Sequence, residues 1–467
     1  MADVVLDSAQ RTAVDLPHGR SLLVLGEAGH GKTTVAIHRL AHLVRTAKGR
    51  FRAVVIVPTE GLRVLLETIA KELHVDVPVV LYDRWAAKQA RRVFPDAPKR
   101  TSGDATAGII AFKRDPALRV ALRELADRPI GIIDDDEDAR PVETDARAGR
   151  GDLQHLFGDR ALMEKVAAAS TRPPSKAAFE ELLEHTFVQF NPTSEESLAH
   201  VDEKRLKTVD RLTLDGGTPM ADAGTVDVED FAVLFELDRM RAERLGQTPS
   251  QPREYDCIVL DEAQEIAPLE LALIGRSLSE GGSLVVAGDA DQQLEVGFSS
   301  WEETMRELGC ADYERRVLEL GYRCPPAVVA LAHRILGRGE ATDARVASFE
   351  SEGRLASWLV ETLDATDEGN TAIVCRTALA ARRISHALGR ETTHRLVLDG
   401  DFVRGAPCYV TSVDQVKGLE FDVVIVPDVS AAAYLDTPAS RRALYVAVTR
   451  ARRTVDLACV GDASSIV

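Results

Sequence analysis

Residues Gly26 to Thr33 spell G-x-x-x-x-G-K-T, the spacing of a loop that wraps a chain of phosphates. Gly26, Gly29 and Gly31 allow the tight turns that aim successive N–H groups inward, so Glu27, Ala28 and His30 contribute backbone rather than side chain. Lys32 is placed to reach the β- and γ-phosphates. The Thr33 hydroxyl is placed to complete the coordination of a Mg²⁺, and Thr34 follows in the opening turn of a helix whose dipole favours anions. A second set of groups complements this loop. Asp261 and Glu262 end an apolar run, where one acid can hold Mg²⁺ and the other can orient and deprotonate an attacking water. Gln292 ends the next such run, in Gly288-Asp289-Ala290-Asp291-Gln292. Gln10 offers the donor and acceptor that reading an adenine edge requires, although alone it is an ordinary surface glutamine. Arg323 and Arg450 lie far along the chain. A lone arginine is ordinarily half of a surface ion pair, but a two-lobed ATPase needs cations to neutralise charge developing on the γ-phosphate.

These groups need a parallel sheet whose strands end together. The apolar runs from Ser21, at Ala53 to Val57, Val79 to Tyr82, Tyr255 to Leu260 and Gly282 to Ala287 have the continuous hydrophobicity of strands buried on both faces. Helices follow the first two, and ligands of open α/β sheets bind at the carboxyl ends of the strands. A second α/β region is expected from the runs Thr371 to Cys375, Tyr409 to Val413, Val423 to Val426 and Val455 to Val460. Between about Pro95 and Thr225 strand texture thins out. Helices are predicted at Asp159 to Ala169 and Lys176 to Phe187, with an exposed loop around the acids Asp134 to Asp138.

At 467 residues the chain is long enough for two or three domains. No apolar stretch reaches the roughly 18 to 20 residues that span a bilayer, and the first residues lack a basic and then apolar leader, so a cytoplasmic protein with no membrane association is expected. The six cysteines are scattered without a C-x-x-C pair, which reads as reduced core residues and not a zinc site. A formal charge of −17 argues against a protein that coats nucleic acid nonspecifically; any such contact must be a local groove.

The motifs in order resemble the superfamily 1A helicases of the UvrD, Rep and PcrA type. The resemblance is carried by LDSAQ (Leu6 to Gln10), GEAGHGKTT (Gly26 to Thr34), DEAQ (Asp261 to Gln264), GDADQ (Gly288 to Gln292), GYR (Gly321 to Arg323), KGLEFD (Lys417 to Asp422) and LYVAVTRA (Leu444 to Ala451). The stretches AIHRLAHL, DVEDFAVLFEL and SWEETMRELG are similar to HelD-like members, ATPases that act on RNA polymerase. The resemblance implies an α/β fold of two RecA-like P-loop lobes with parallel sheets. Lobe 1A would take residues 1–95 and 226–309, a mainly helical 1B-like insert 96–225, and lobe 2A 310–467. It also implies roles: Gln10 and Tyr322 at adenine, Glu420 at the ribose or the transmission path, Gln292 at the γ-phosphate, and Arg323 and Arg450 as fingers closing the cleft. ATP and Mg²⁺ are the implied cofactors.

The 2B domain that separates GYR and KGLEF in the UvrD type has no room here. Glu295, Asp414 and Val57-Pro58-Thr59-Glu60 replace residues that in the family stack bases or bind phosphates. A strand crossing the tops of 1A and 2A would meet Thr59, Trp85 and Ser412; Trp85 is equally suited to the core. The leading expectation is an ATP-dependent helicase or 3′–5′ translocase that binds single-stranded or partly duplex DNA weakly alone and works with a protein partner. The alternative is a helicase-like ATPase that remodels a protein or nucleoprotein complex, with RNA polymerase or a nuclease or defence complex as partner. A nucleotide sensor without turnover fits least, because Lys32, Glu262, Arg323 and Arg450 are all retained.

Overall fold

A strand with an unbroken apolar run must be covered on both faces, and the alternating side chains of SLLVL and AVVIV are divided that way. Leu23 and Leu25, with Val54 and Ile56, enter one core; Leu22 and Val24, with Val55 and Val57, enter the other. The structure is a computed structural model. It describes residues 6–467 apart from 99, 104, 129–146, 199, 202–213, 216–217, 294–296, 320, 322–323, 340–344, 367–368 and 403–405.

In chain order the strands are β1 (Ser21–Leu25), β2 (Ala53–Val57), β3 (Val79–Leu81), β4 (Arg100–Thr101), β5 (Thr225–Val226), β6 (Tyr255–Leu260), β7 (Leu278–Gly288), β8 (Tyr313–Val317), β9 (Val346–Phe349), β10 (Thr371–Cys375), β11 (Arg395–Val397), β12 (Cys408–Ser412), β13 (Phe421–Val426) and β14 (Ala451–Val460). The first sheet has the order β3-β2-β6-β7-β1-β8 and the second β11-β12-β10-β13-β14-β9. Every pairing within them is parallel, giving two doubly covered α/β sheets.

One expected boundary moves. Tyr313–Val317 pairs with β1 along its whole length, so the first sheet continues past residue 309 and the second lobe starts after β8. The strand escapes a hydrophobic scan because YERRV is an edge strand, half exposed, with charge where a central strand would be apolar. Among the described residues from Gly321 to Lys417, every strand joins the second sheet, so no separate domain stands where 2B would be.

The helices between β4 and β5 include Arg160–Ala169, capped by Asp159, and Lys176–Phe190, capped by Ser175. The acidic run Asp134 to Asp138 lies outside the described residues. β4 and β5 pair with each other where the chain leaves the first lobe and returns. Among the described residues this helical segment shares its core with the first lobe: Leu118, Leu122, Leu156, Phe157 and Leu182 are continuous with the apolar residues on one face of the first sheet. Lys113, fully buried, fastens it further, donating to Asp227 at 2.6 Å and Asp230 at 2.7 Å. Burial works against that ammonium, but the two carboxylates outweigh it and raise its pKa. Among the described residues no helix is long and apolar enough to cross a membrane.

Candidate nucleotide site between two sheets

The loop after β1 turns with Gly29 and Gly31 in left-handed conformation, at φ 84° and 83°. A side chain at Gly31 would be strained by the backbone and would place its Cβ 2.7 Å from the Gln10 amide nitrogen, which would have to move aside. Gly31 also starts helix Lys32–Thr46, whose N-terminus faces the loop. The Lys32 ammonium folds back, donating to the carbonyls of Gly26 at 2.8 Å and Glu27 at 2.9 Å, and lies 3.8 Å from Asp289.

Thr33 donates its hydroxyl to Asp261 Oδ2 at 2.7 Å, bringing together the two oxygens expected at the metal. Both are hard ligands suited to Mg²⁺, which commonly takes one or two protein oxygens and completes its shell with phosphates and water. Among the described residues no group of three or more His, Cys, Asp or Glu is arranged to hold a metal ion, so nothing competes as a closed metal cage. Burial, then the adjacent Glu262 charge, raise the Asp261 carboxyl above its ordinary range against the pull of Thr33 and Lys32. A cation at this point would reverse that balance. Glu262 is buried in a left-handed conformation, φ 54° and ψ 43°, rare for a residue with a Cβ. Gln264 Nε2 donates to it at 2.6 Å, and Gln264 Oε1 accepts from the Asp289 amide at 3.1 Å. The acids after β6 and the turn after β7 are thus one hydrogen-bonded unit.

From the second sheet, helix Pro438–Val448 and the turn after it reach into this unit. Arg450 is 1% exposed; its Nη2 donates to Gln292 Oε1 at 2.6 Å and its Nε to the Val446 carbonyl at 3.1 Å. Gln292 Nε2 in turn donates to Asp289 Oδ2 at 2.8 Å. Tyr445 donates to the same Asp289 oxygen at 3.3 Å and accepts from the Ala28 amide of the loop at 3.5 Å. Further contacts join the lobes, among them Glu27 with His333 at 2.9 Å, Asp291 with Arg338 at 2.5 Å, and Glu265 with Lys417 at 2.6 Å. A cavity of about 830 Å³ opens beside the loop, lined by Gly26, Glu27, His30, Asp289, Glu319 and His333 among others. That is within the roughly 300–1,000 Å³ usual for a ligand site.

Lys32, Thr33, Asp261, Glu262, Gln292 and Arg450 therefore converge. Gln10 lies against the loop, its amide donating to the His30 carbonyl at 3.5 Å and accepting from Asp7 N–H at 3.2 Å. Thr34 sits in the first turn of the helix. Tyr322, Arg323 and Glu295 are outside the described residues. Glu420 is paired with Arg452 of the second sheet and is not among the residues lining the cavity, a position that suits the transmission path and not contact with a ribose.

Two of the expected DNA contacts are corrected. Trp85 is 3% exposed and packs with Tyr82 in the first core, because helix Tyr82–Val93 turns that face inward; its ring is not available for stacking a base. Ser412 ends a fully buried central strand, so its hydroxyl faces protein. Thr59 is half-buried, capping helix Glu60–Glu72 and donating to the Lys417 carbonyl at 3.5 Å. Residues not singled out from sequence are Asp289, Tyr445 and His333. The first two stand inside motifs that were noted, whereas His333, in helix Pro326–Ile335, carries no local signal.

Two parallel sheets facing across a cleft, with a phosphate-type loop on one and an arginine and a tyrosine supplied by the other, define a tandem RecA-like P-loop architecture. Residues 407–457 match the family model of the UvrD-like helicase C-terminal domain. Proteins named ATP-dependent DNA helicase UvrD2, from Mycobacterium bovis and Mycobacterium tuberculosis, are 28% identical over 378 residues, covering 76% of this chain and 47% of the relative. The chain thus spans about half the length of the curated relatives it matches. The C-terminal domain of a possible DNA helicase from Lactobacillus plantarum aligns at 24% identity and TM-score 0.28, over 32% of this chain and 92% of that one. Arterivirus nonstructural protein 10, a helicase solved with DNA, aligns at 14% identity and TM-score 0.33, over 97% of this chain and 63% of that one. Motif order, family model and mycobacterial relatives agree in making the chain similar to superfamily 1A helicases of the UvrD type.

Proposed function

We propose that this chain hydrolyses ATP between its two lobes and uses the cycle to move along DNA in the 3′ to 5′ direction, acting in the cytoplasm. The observation that carries the reading is the joining of Gln292 to Arg450 at 2.6 Å, which puts a second-sheet guanidinium beside the loop and acids of the first. In this reading lobe 1A comprises residues 1–95 and 226–317, the insert 96–225, and lobe 2A the remainder. The loop amides and Lys32 would hold the phosphates, while Thr33 and Asp261 would hold Mg²⁺, which would supply positive charge against the phosphates. Glu262, fixed by Gln264, takes a proton from the attacking water. Gln292 and Arg450 stabilise charge on the transferring group, and Arg323 is the second finger. Gln10 and Tyr322 flank the base, and Glu420 links the cleft to the second sheet.

A second reading, an ATPase that remodels a protein partner, is favoured by one observation: Trp85 and Ser412 offer nothing to a nucleic acid strand. Both readings are tested by comparing Lys32→Ala and Glu262→Gln. Lys32 acts on bound phosphates and Glu262 on water, so both variants lose turnover but only Lys32→Ala loses affinity for a non-hydrolysable ATP analogue. Equal loss of affinity in both would refute the site. Stimulation of wild-type ATPase by oligo-dT supports the DNA motor; its absence supports the second reading.

A further inference from the structure

The wall of the nucleotide cavity is acidic where a polyphosphate calls for the opposite charge. Glu27, Asp289, Asp291 and Glu319 line it, and the basic side chains among its described lining residues are His30 and His333. Asp289 is already held by Lys32, Gln292 and Tyr445. Glu27 is the anomaly. It stands at the second position of the phosphate loop, with its carbonyl on the Lys32 ammonium at 2.9 Å, so its charge belongs to the same turn as the amides that would take phosphate oxygens. A free carboxylate there would oppose the anion that the nest and Lys32 attract, since like charges at short range repel even through water.

The second lobe takes up that carboxylate. Both of its oxygens lie against one ring nitrogen of His333, Nε2, at 3.0 and 2.9 Å. An ionised carboxylate only accepts hydrogen bonds, so the ring donates. His30, the other histidine of the wall, donates its Nδ1 to the Leu318 carbonyl at 2.6 Å and is not paired with Glu27. His333 sits in helix Pro326–Ile335, and the turn after the same helix repeats the device. Arg338 donates from both Nη atoms to Asp291, at 2.5 and 2.7 Å, and also lies in the field of Glu27. Two acids of the first lobe are thus each met by a basic group from one stretch of the second. The Glu27–His333 contact is partly exposed, so as an ion pair it adds little to stability. Its leverage is on what binds beside it.

We propose that His333 is a positioning residue for the nucleotide, drawing the Glu27 carboxylate onto the second lobe so that the loop meets a polyphosphate with its amides and Lys32 and without a competing charge. This rests on the loop being the ATP site. It gives the second lobe a share in ground-state binding, apart from Arg450, which acts on the transferring group. Loss of His333 should therefore raise KM and leave kcat nearly unchanged.

The test is a double-mutant cycle on the full chain, reading affinity for a fluorescent non-hydrolysable ATP analogue in the presence of Mg²⁺. His333→Ala should weaken binding about 3- to 10-fold, and the loss should shrink at raised salt, which screens a partly exposed charge. In a Glu27→Gln background there is no charge to draw away, so His333→Ala should change affinity by less than about twofold. Affinity of His333→Ala within twofold of wild type overturns the proposal. So does an equal loss with and without the Glu27 charge, which would show that the histidine only supports the shape of the cleft. Failure of the wild-type chain to bind the analogue at all overturns the ATP site, and this role of His333 with it.

Discussion

Replacing Glu229 with glutamine should convert a pH-dependent weakness of the first lobe into a pH-independent one. Glu229 opens helix Glu229–Leu245 and is buried beside Arg114, Glu270 and the Lys113 cluster. Burial, with the Glu270 charge, prevails over Arg114 and pushes its carboxyl up from an ordinary 4.5 to about 7. Between those values the folded chain keeps a proton that the unfolded chain has released. The residue's contribution to stability is therefore complete below 4.5 and lost as pH rises through 7. At about 1.4 kcal/mol for each pH unit between the two values, the loss reaches about 3 kcal/mol at pH 8.5. Glutamine is neutral throughout, and whatever fixed cost comes from weakening the Arg114 contact is the same at every pH. The stability difference between variant and wild type should therefore swing by about 2.5 kcal/mol in the variant's favour from pH 5 to pH 8.5. Urea unfolding followed by tryptophan emission reads this directly, because Trp85 and Trp301 are both in the first core; a Trp358→Phe background removes the signal of the second lobe. A difference that is constant with pH, or that favours the variant at low pH, would refute the reasoning.

Arg450→Ala should lower single-turnover hydrolysis by about 10³- to 10⁵-fold while leaving affinity for an ATP analogue within a few fold. Arg450→Lys should not restore it, because one ammonium cannot serve both Gln292 and the Val446 carbonyl as Nη2 and Nε do; recovery to within tenfold of wild type would count against the finger role. Alkylation with N-ethylmaleimide, mapped by mass spectrometry, should reach the half-buried Cys310 and Cys324 first. Burial makes Cys257, Cys375 and Cys408 poor thiolates, two of them pushed up to about 12, so early labelling of Cys375 would mean the second sheet opens readily.

The central strands were legible because burial on both faces leaves an unbroken apolar run, and β1, β2, β6 and β10 appear where such runs stand. Edge strands were legible only where they stay apolar, as Val79–Leu81 does at the border of the first sheet. Tyr313–Val317, Val346–Phe349 and Arg395–Val397 face solvent on one side, so their composition carries little of that pattern, and the lobe boundary slipped with the first of them. The loop and the two acids could be read because their chemistry depends on local spacing. Trp85 and Ser412 could not, since whether a helix face or a strand end meets solvent is decided by what packs on it from elsewhere in the chain. The same holds for Tyr445, whose neighbours Ala28 and Asp289 lie far away in sequence.

That tyrosine makes the cleft a place of exchange. The Ala28 amide, a donor of the phosphate loop, already meets a hydroxyl from the opposite sheet, and the same hydroxyl meets Asp289. Any phosphate oxygen that takes this amide must evict Tyr445. Because Tyr445 rides on helix Pro438–Val448, whose end leads directly into Arg450, eviction at one end is felt at the other. At this one donor the seating of the second lobe and a phosphate oxygen compete, and by linkage a substitution that weakens only the Tyr445 contact should strengthen the hold on phosphate by the same factor.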